Sequence, residues 1–106
     1  MEQKSRGQEL KLITCIVQRG KAEKVVDAAL EAGAGGVTWF YGRGTGVRQK
    51  LGITGMFISP DKEILLIAIT SDKVDKVFDA IVKIARLEEK GQGFAFVHTI
   101  EKAVGF

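Results

Sequence analysis

Two strand-length segments, LKLITCIV at residues 10–17 and EILLIAIT at residues 63–70, carry apolar side chains at odd and even positions alike. In the first, Leu10, Leu12 and Ile16 point to one side, and Ile13, Cys15 and Val17 to the other. A sheet with one wet face should alternate apolar with polar residues. These segments therefore need cover on both faces. Residues 21–32 offer one helix: Ala22, Val25, Val26, Ala29 and Leu30 share a face, and Gly33 stands where a helix closes with a left-handed residue. Residues 71–87 offer a second, with Ser71 and Asp72 as start signals and Val74, Val77, Phe78, Ile81 and Ala85 on one face. Further strands are expected at residues 36–41 and 94–100, and a long glycine-rich loop at about 42–62.

The resulting order, β-α-β-β-α-β, predicts an α+β sandwich: a four-stranded antiparallel sheet with both helices on one face. Two helices cannot cover both faces. The second is expected to be buried by other copies of the chain, since soluble monomers rarely leave a large apolar patch in water. At 106 residues this is one domain, residues 10–106, preceded by a polar extension at residues 1–9. A net charge of +3 is too small to indicate nucleic acid without a concentrated basic face and a reading motif. A lone cysteine, Cys15, excludes an internal disulfide and fits a cytoplasmic setting. Cys15 and the single histidine, His98, are a poor metal set, so no metal site is expected.

Chemistry concentrates after the second strand. No Asp or Glu occurs between Glu31 and Asp61, whereas Arg43, Arg48 and Lys50 do. Gly42, Gly44 and Gly46 alternate with Arg43 and Thr45. Glycines allow successive N–H groups to converge on an anion, and arginines can fork onto its oxygens. A plain solvated loop has the same composition, and the Lys-Ser/Thr ending of a Walker motif is absent. A second glycine turn, Gly91-Gln92-Gly93, precedes the last strand and can meet the loop across a subunit boundary.

These motifs resemble the PII signalling proteins, the nitrogen-regulatory family. The family's G-x-x-G-x-T-x-x-x-x-K-G-F-G pattern lies over residues 33–46 without a gap. Gly33, Gly36, Thr38, Gly44 and Gly46 match, and Arg43 replaces the lysine. One inserted residue then sets Arg48-Gln49-Lys50 over the family's R-Q-K, and Gly91-Gln92-Gly93-Phe94 over its G-D-G-K. The resemblance implies a ferredoxin-like homotrimer that binds an adenine nucleotide (ATP, ADP or AMP) or another small anion such as bicarbonate between subunits. The loop would then control a protein target, a membrane transporter or a metabolic enzyme. By the same match, Thr38 would lie near the adenine. Gly44, Gly46, Arg48 and Gln49 would approach the phosphates, with Gly91 and Gly93 nearby; Thr45 and Gln92 belong to the same two turns, and Arg43, Arg48 and Lys50 would be polar contacts either to ligand phosphates or to the protein target. Gln49 would help hold 2-oxoglutarate through magnesium.

Departures narrow that expectation. The family's phosphate-binding lysine falls at Phe94, its C-terminal arginine pair is missing, and the loop is shorter. Lys90 and Lys102 are the available replacements. No tyrosine follows Tyr41, so loop uridylylation is not expected. The chain reads as a non-enzymatic regulator. The rival readings are an oligomeric adaptor that binds protein and no small molecule, or a small enzyme on the same fold. The enzyme ranks last, for want of a visible base, nucleophile or metal constellation.

Overall fold

A computed structural model describes residues 9–44 and 59–106. The elements are β1 (Leu10–Gln18), α1 (Ala22–Ala32), β2 (Thr38–Arg43), β3 (Asp61–Thr70), α2 (Ser71–Ala85) and β4 (Gly93–Ile100). The strands form one antiparallel sheet in the order β2-β3-β1-β4. The architecture is the expected ferredoxin-like α+β sandwich. The two strands without polar alternation, β1 and β3, take the centre of the sheet, where neighbours flank both edges.

Register decides which side chains meet. Ile13 faces Ile67, Cys15 faces Leu65 and Val17 faces Glu63. Side chains directly opposite share a face of the sheet. This face meets the helices: Ile13, Cys15, Val17, Leu65 and Ile67 are completely buried with Val25 and Ala29 of α1 and Val77 and Ile81 of α2. Each large apolar side chain so buried contributes about 1.5–3 kcal/mol.

Odd and even positions part here. The other face carries Leu12 and Ile16 of β1, Ile64 and Leu66 of β3, Phe40 of β2, and Phe94, Phe96 and His98 of β4. No described helix covers it. Phe40 is 47% exposed and Phe94 62%. The Phe94 and Phe96 rings lie 5.5 Å apart, and the Phe96 and His98 rings 6.1 Å.

Four local expectations are corrected. β2 is shifted two residues along the chain, starting at Thr38 and ending at Arg43, and β3 starts two earlier than expected, so Gly42 and Arg43 belong to a strand and pair with Lys62 and Asp61. The helix-face residue Leu30 is 45% exposed, while its neighbour Ala29 is the residue of that turn that enters the core. Ser71 does not cap α2: the cap position is Thr70, without a side-chain bond. The Ser71 N–H instead donates to the Glu9 carbonyl at 2.9 Å. α2 ends at Ala85 because Arg86 turns left-handed (φ 55°), and its guanidinium then grips the Glu89 carboxylate at 2.7 and 3.0 Å.

Cys15 lies wholly inside the core, and burial pushes its thiol up from 9.0 to about 12. Only the thiolate is nucleophilic. The native protein should therefore resist alkylation by iodoacetamide at about pH 8 and react fully in denaturant. Stoichiometric labelling of the native chain would contradict this burial. The linkage sign also follows. The unfolded thiol ionises first, so this contribution to stability is complete below pH 9.0 and is lost as pH rises toward about 12.

Candidate functional site

β1 and β3 end and begin side by side, which gathers several charged residues at one end of the sheet. Arg19 follows β1, Arg43 closes β2, and Asp61 and Lys62 open β3. The Arg43 guanidinium donates to Asp61 Oδ1 at 2.8 Å, and Arg19 stands 3.7 Å from Asp61 Oδ2. Arg19 also lies over the Tyr41 ring, 5.4 Å from its centroid. Lys62 Nζ donates to the Ser59 carbonyl at 2.8 Å. Burial lowers its ammonium below the ordinary lysine value, and Asp61 partly opposes that shift. Arg19, Tyr41, Gly42, Arg43, Asp61 and Lys62 line a cleft of about 210 Å³. Among the described residues, Arg43 and Arg19 pair with the Asp61 carboxylate there, and Lys62 lines the same cleft. The space is smaller than pockets that hold drug-sized ligands and suits a small anion.

The second glycine turn lies at the same end but on the opposite edge, because Gly93 pairs with Val17 at the end of β1. Gln18 Nε2 donates to the Gly91 carbonyl at 3.2 Å, and Lys21 Nζ reaches Gln92 Oε1 at 3.5 Å. Lys90 is exposed in the preceding turn. Gly93 takes φ +150°, and a Cβ there would run into the Ile16 carbonyl and lie 3.0 Å from Leu87 Cδ2. The backbone itself thus demands glycine at 93, whatever binds nearby.

Among the expected site residues, Arg43 and Gly44 come together at the β2 edge, where the Gly44 N–H donates to the Pro60 carbonyl at 2.9 Å. Gly91, Gln92, Gly93 and Lys90 gather at the β4 edge, three strand spacings or about 14 Å away. One chain does not join the two groups. Thr38 lies at the other end of β2 from Arg43, opposite Leu66 on the uncovered face. Thr45, Gly46, Arg48, Gln49 and Lys50 lie outside the described residues.

Sequence reasoning missed Arg19, Tyr41, Asp61 and Lys62 as parts of one cleft. The available signal was a basic residue at each of two strand ends, but nothing local says that those ends are neighbours. It also missed Glu63. This residue is 5% exposed, and its Oε1 accepts from the N–H groups of Gly20 at 2.9 Å and Ala22 at 2.8 Å. Lys21, at the cap position of α1, makes no side-chain cap. The cap comes instead from a carboxylate 41 residues away, which pins the turn carrying Arg19. Its signal was parity, since Glu63 falls in step with the core-facing Leu65, Ile67 and Ile69.

The profile of the family described as nitrogen regulatory protein P-II matches residues 10–106. A relative named nitrogen fixation nifHD region glnB-like protein 1, from Methanococcus maripaludis, is 30% identical over 95 residues, covering 89% of this chain and 90% of that one. The nitrogen regulatory protein P-II 2 of Methanothermobacter thermautotrophicus is 32% identical over 102 residues, covering 90% and 87%. The crystal structure of Arabidopsis thaliana PII bound to citrate superposes with a TM-score of 0.67 at 28% identity, over 87% of this chain and 78% of that one.

Proposed function

The chain belongs to the nitrogen regulatory protein P-II family, and on that basis we propose that it is a non-enzymatic cytoplasmic regulator that senses an anionic effector in clefts between the subunits of a homotrimer. The effector is an adenine nucleotide or a small anionic metabolite. Binding changes affinity for a protein target, a transporter or a metabolic enzyme, through residues 42–62. Nucleic acid has no part in it.

The observation that carries this reading is the placement of the two candidate groups at one end but on opposite edges of the sheet. A head-to-tail ring sets the β2 edge of one copy against the β4 edge of the next. The same ring covers the apolar face that the helices leave open. Arg19, Arg43 and Lys62 then contribute the positive charge, and the Gly91–Gly93 turn comes from the neighbour. The described residues suit one or two negative charges better than a triphosphate. Phe94, an exposed ring, follows Gly93 at the start of β4, where a phosphate-binding lysine would be wanted. Citrate in the Arabidopsis protein makes a multivalent carboxylate a reasonable probe here. Magnesium and 2-oxoglutarate would enter only with a nucleotide and Gln49.

Sedimentation velocity should give a trimer at micromolar concentration. A thermal-shift panel of ATP, ADP, AMP, cAMP, bicarbonate and citrate, with and without magnesium and 2-oxoglutarate, should find at least one stabilising ligand. Saturation at a hundredfold over Kd stabilises by about 2.7 kcal/mol, a rise of several degrees. A folded monomer would remove the clefts. A trimer that no ligand stabilises would be an adaptor.

A further inference from the structure

The geometry points to Asp61 as a built-in competitor that occupies the cations of the cleft until an anionic effector displaces it, and so sets how tightly that effector binds. This rests on the anion-site reading above and adds the residue that tunes it. A single carboxylate faces Arg43 at 2.8 Å and Arg19 at 3.7 Å, and Asp61 also raises the charge preference of Lys62. Any anion entering the cleft needs the same guanidinium N–H groups that Asp61 now accepts from. It must break those contacts and sit beside a like charge.

The ion pairs are not needed to hold the sheet together. The Asp61 N–H donates to Ser59 Oγ at 3.1 Å, and its carbonyl accepts from the Arg19 N–H at 3.2 Å. Asp61 also keeps its ladder position opposite Arg43. These are main-chain roles that asparagine keeps. The Arg43 and Asp61 side chains are 73% and 36% exposed, so the pair is solvated and weak enough to exchange. A carboxylate whose described side-chain contacts are such exposed pairs, with Arg43 and Arg19, regulates the charge of the cleft more than the stability of the fold.

The test is calorimetric titration of the full-length wild type, Asp61→Asn and Asp61→Asn/Arg43→Ala with citrate and, separately, orthophosphate, at fixed low ionic strength. Asp61→Asn should bind at least one probe about three- to tenfold more tightly than the wild type, with an unchanged melting temperature. Removing Arg43 as well should cancel most of that gain. Wild-type binding as tight as that of Asp61→Asn, or tighter, overturns the role of Asp61 and leaves the anion site standing. Absence of binding by wild type and Asp61→Asn to either probe overturns both.

Discussion

Replacing Glu63 with alanine should lower the melting temperature by about 10–30 °C at fixed protein concentration. One carboxylate oxygen satisfies two backbone donors, the N–H groups of Gly20 and Ala22, at 2.9 and 2.8 Å. Ala22 opens α1 and is itself 1% exposed, so water has little access to its N–H. Leaving the buried Ala22 donor without a partner costs about 1–3 kcal/mol, and the Gly20 donor, on an exposed turn that water can reach, adds less, for about 2–4 kcal/mol together. The negative charge also favours the positive end of α1, a contribution of about 0.3–1 kcal/mol. Glu63→Gln keeps an acceptor oxygen and loses only the charge, so it should cost about 1 kcal/mol. Thermal unfolding of both variants separates the two contributions. Equal losses for alanine and glutamine would show that the charge, and not the acceptor, matters. A negligible loss for alanine would mean that the cap is dispensable.

Gly93→Ala should be of similar severity, about 3–5 kcal/mol. Two costs combine. The φ of +150° is open to glycine and strained for any L side chain. The new Cβ would also be driven into the Ile16 carbonyl on the neighbouring central strand, with Leu87 Cδ2 at 3.0 Å and Val17 Cγ1 at 3.3 Å. A backbone oxygen within the sheet cannot step aside without breaking the β1–β4 ladder. Gly42 provides the control. Among the described residues, a Cβ there would meet the far end of the Ile64 side chain, Cδ1 at 2.7 Å, with no positive φ. Gly42→Ala should therefore cost less than half as much, measured by chemical denaturation with comparable m-values. If the two substitutions destabilise equally, the backbone argument for Gly93 fails. The comparison bears on the site, because a glycine in the Gly91-Gln92-Gly93 turn is otherwise easily credited to a ligand.

Much of this was legible in the residues. The helix faces built on Val25 and Ala29, and on Val77 and Ile81, turned out to be the core. Local periodicity reports which side of an element is apolar, and the hydrophobic effect then buries that side. Helix ends were less legible. Ser71 looked like a cap and is not one, and α2 stops at Arg86 without a glycine. Termini depend on where the backbone must turn next, which local propensity does not encode. The aromatic run Trp39, Phe40 and Tyr41 reads as core and interface side chains; in the single chain all three are exposed, so none belongs to the core beneath the helices. Their strand is the sheet's edge, and the helices pack over β1 and β3.

The sequence by itself determined the element order, the core-facing stripes of the two helices and the excess of apolar surface over what those helices can hide. All three depend on composition and spacing within a dozen residues, the range over which a helix or strand repeats. Tertiary structure alone decided that Arg19, Arg43, Asp61 and Lys62 share a cleft, that the Gly91–Gly93 turn lies on the opposite edge, and that Glu63 caps a helix 41 residues earlier. Those pairings arise from strand order and register. Both are set by how the whole apolar surface packs at once, which no stretch of the chain carries alone.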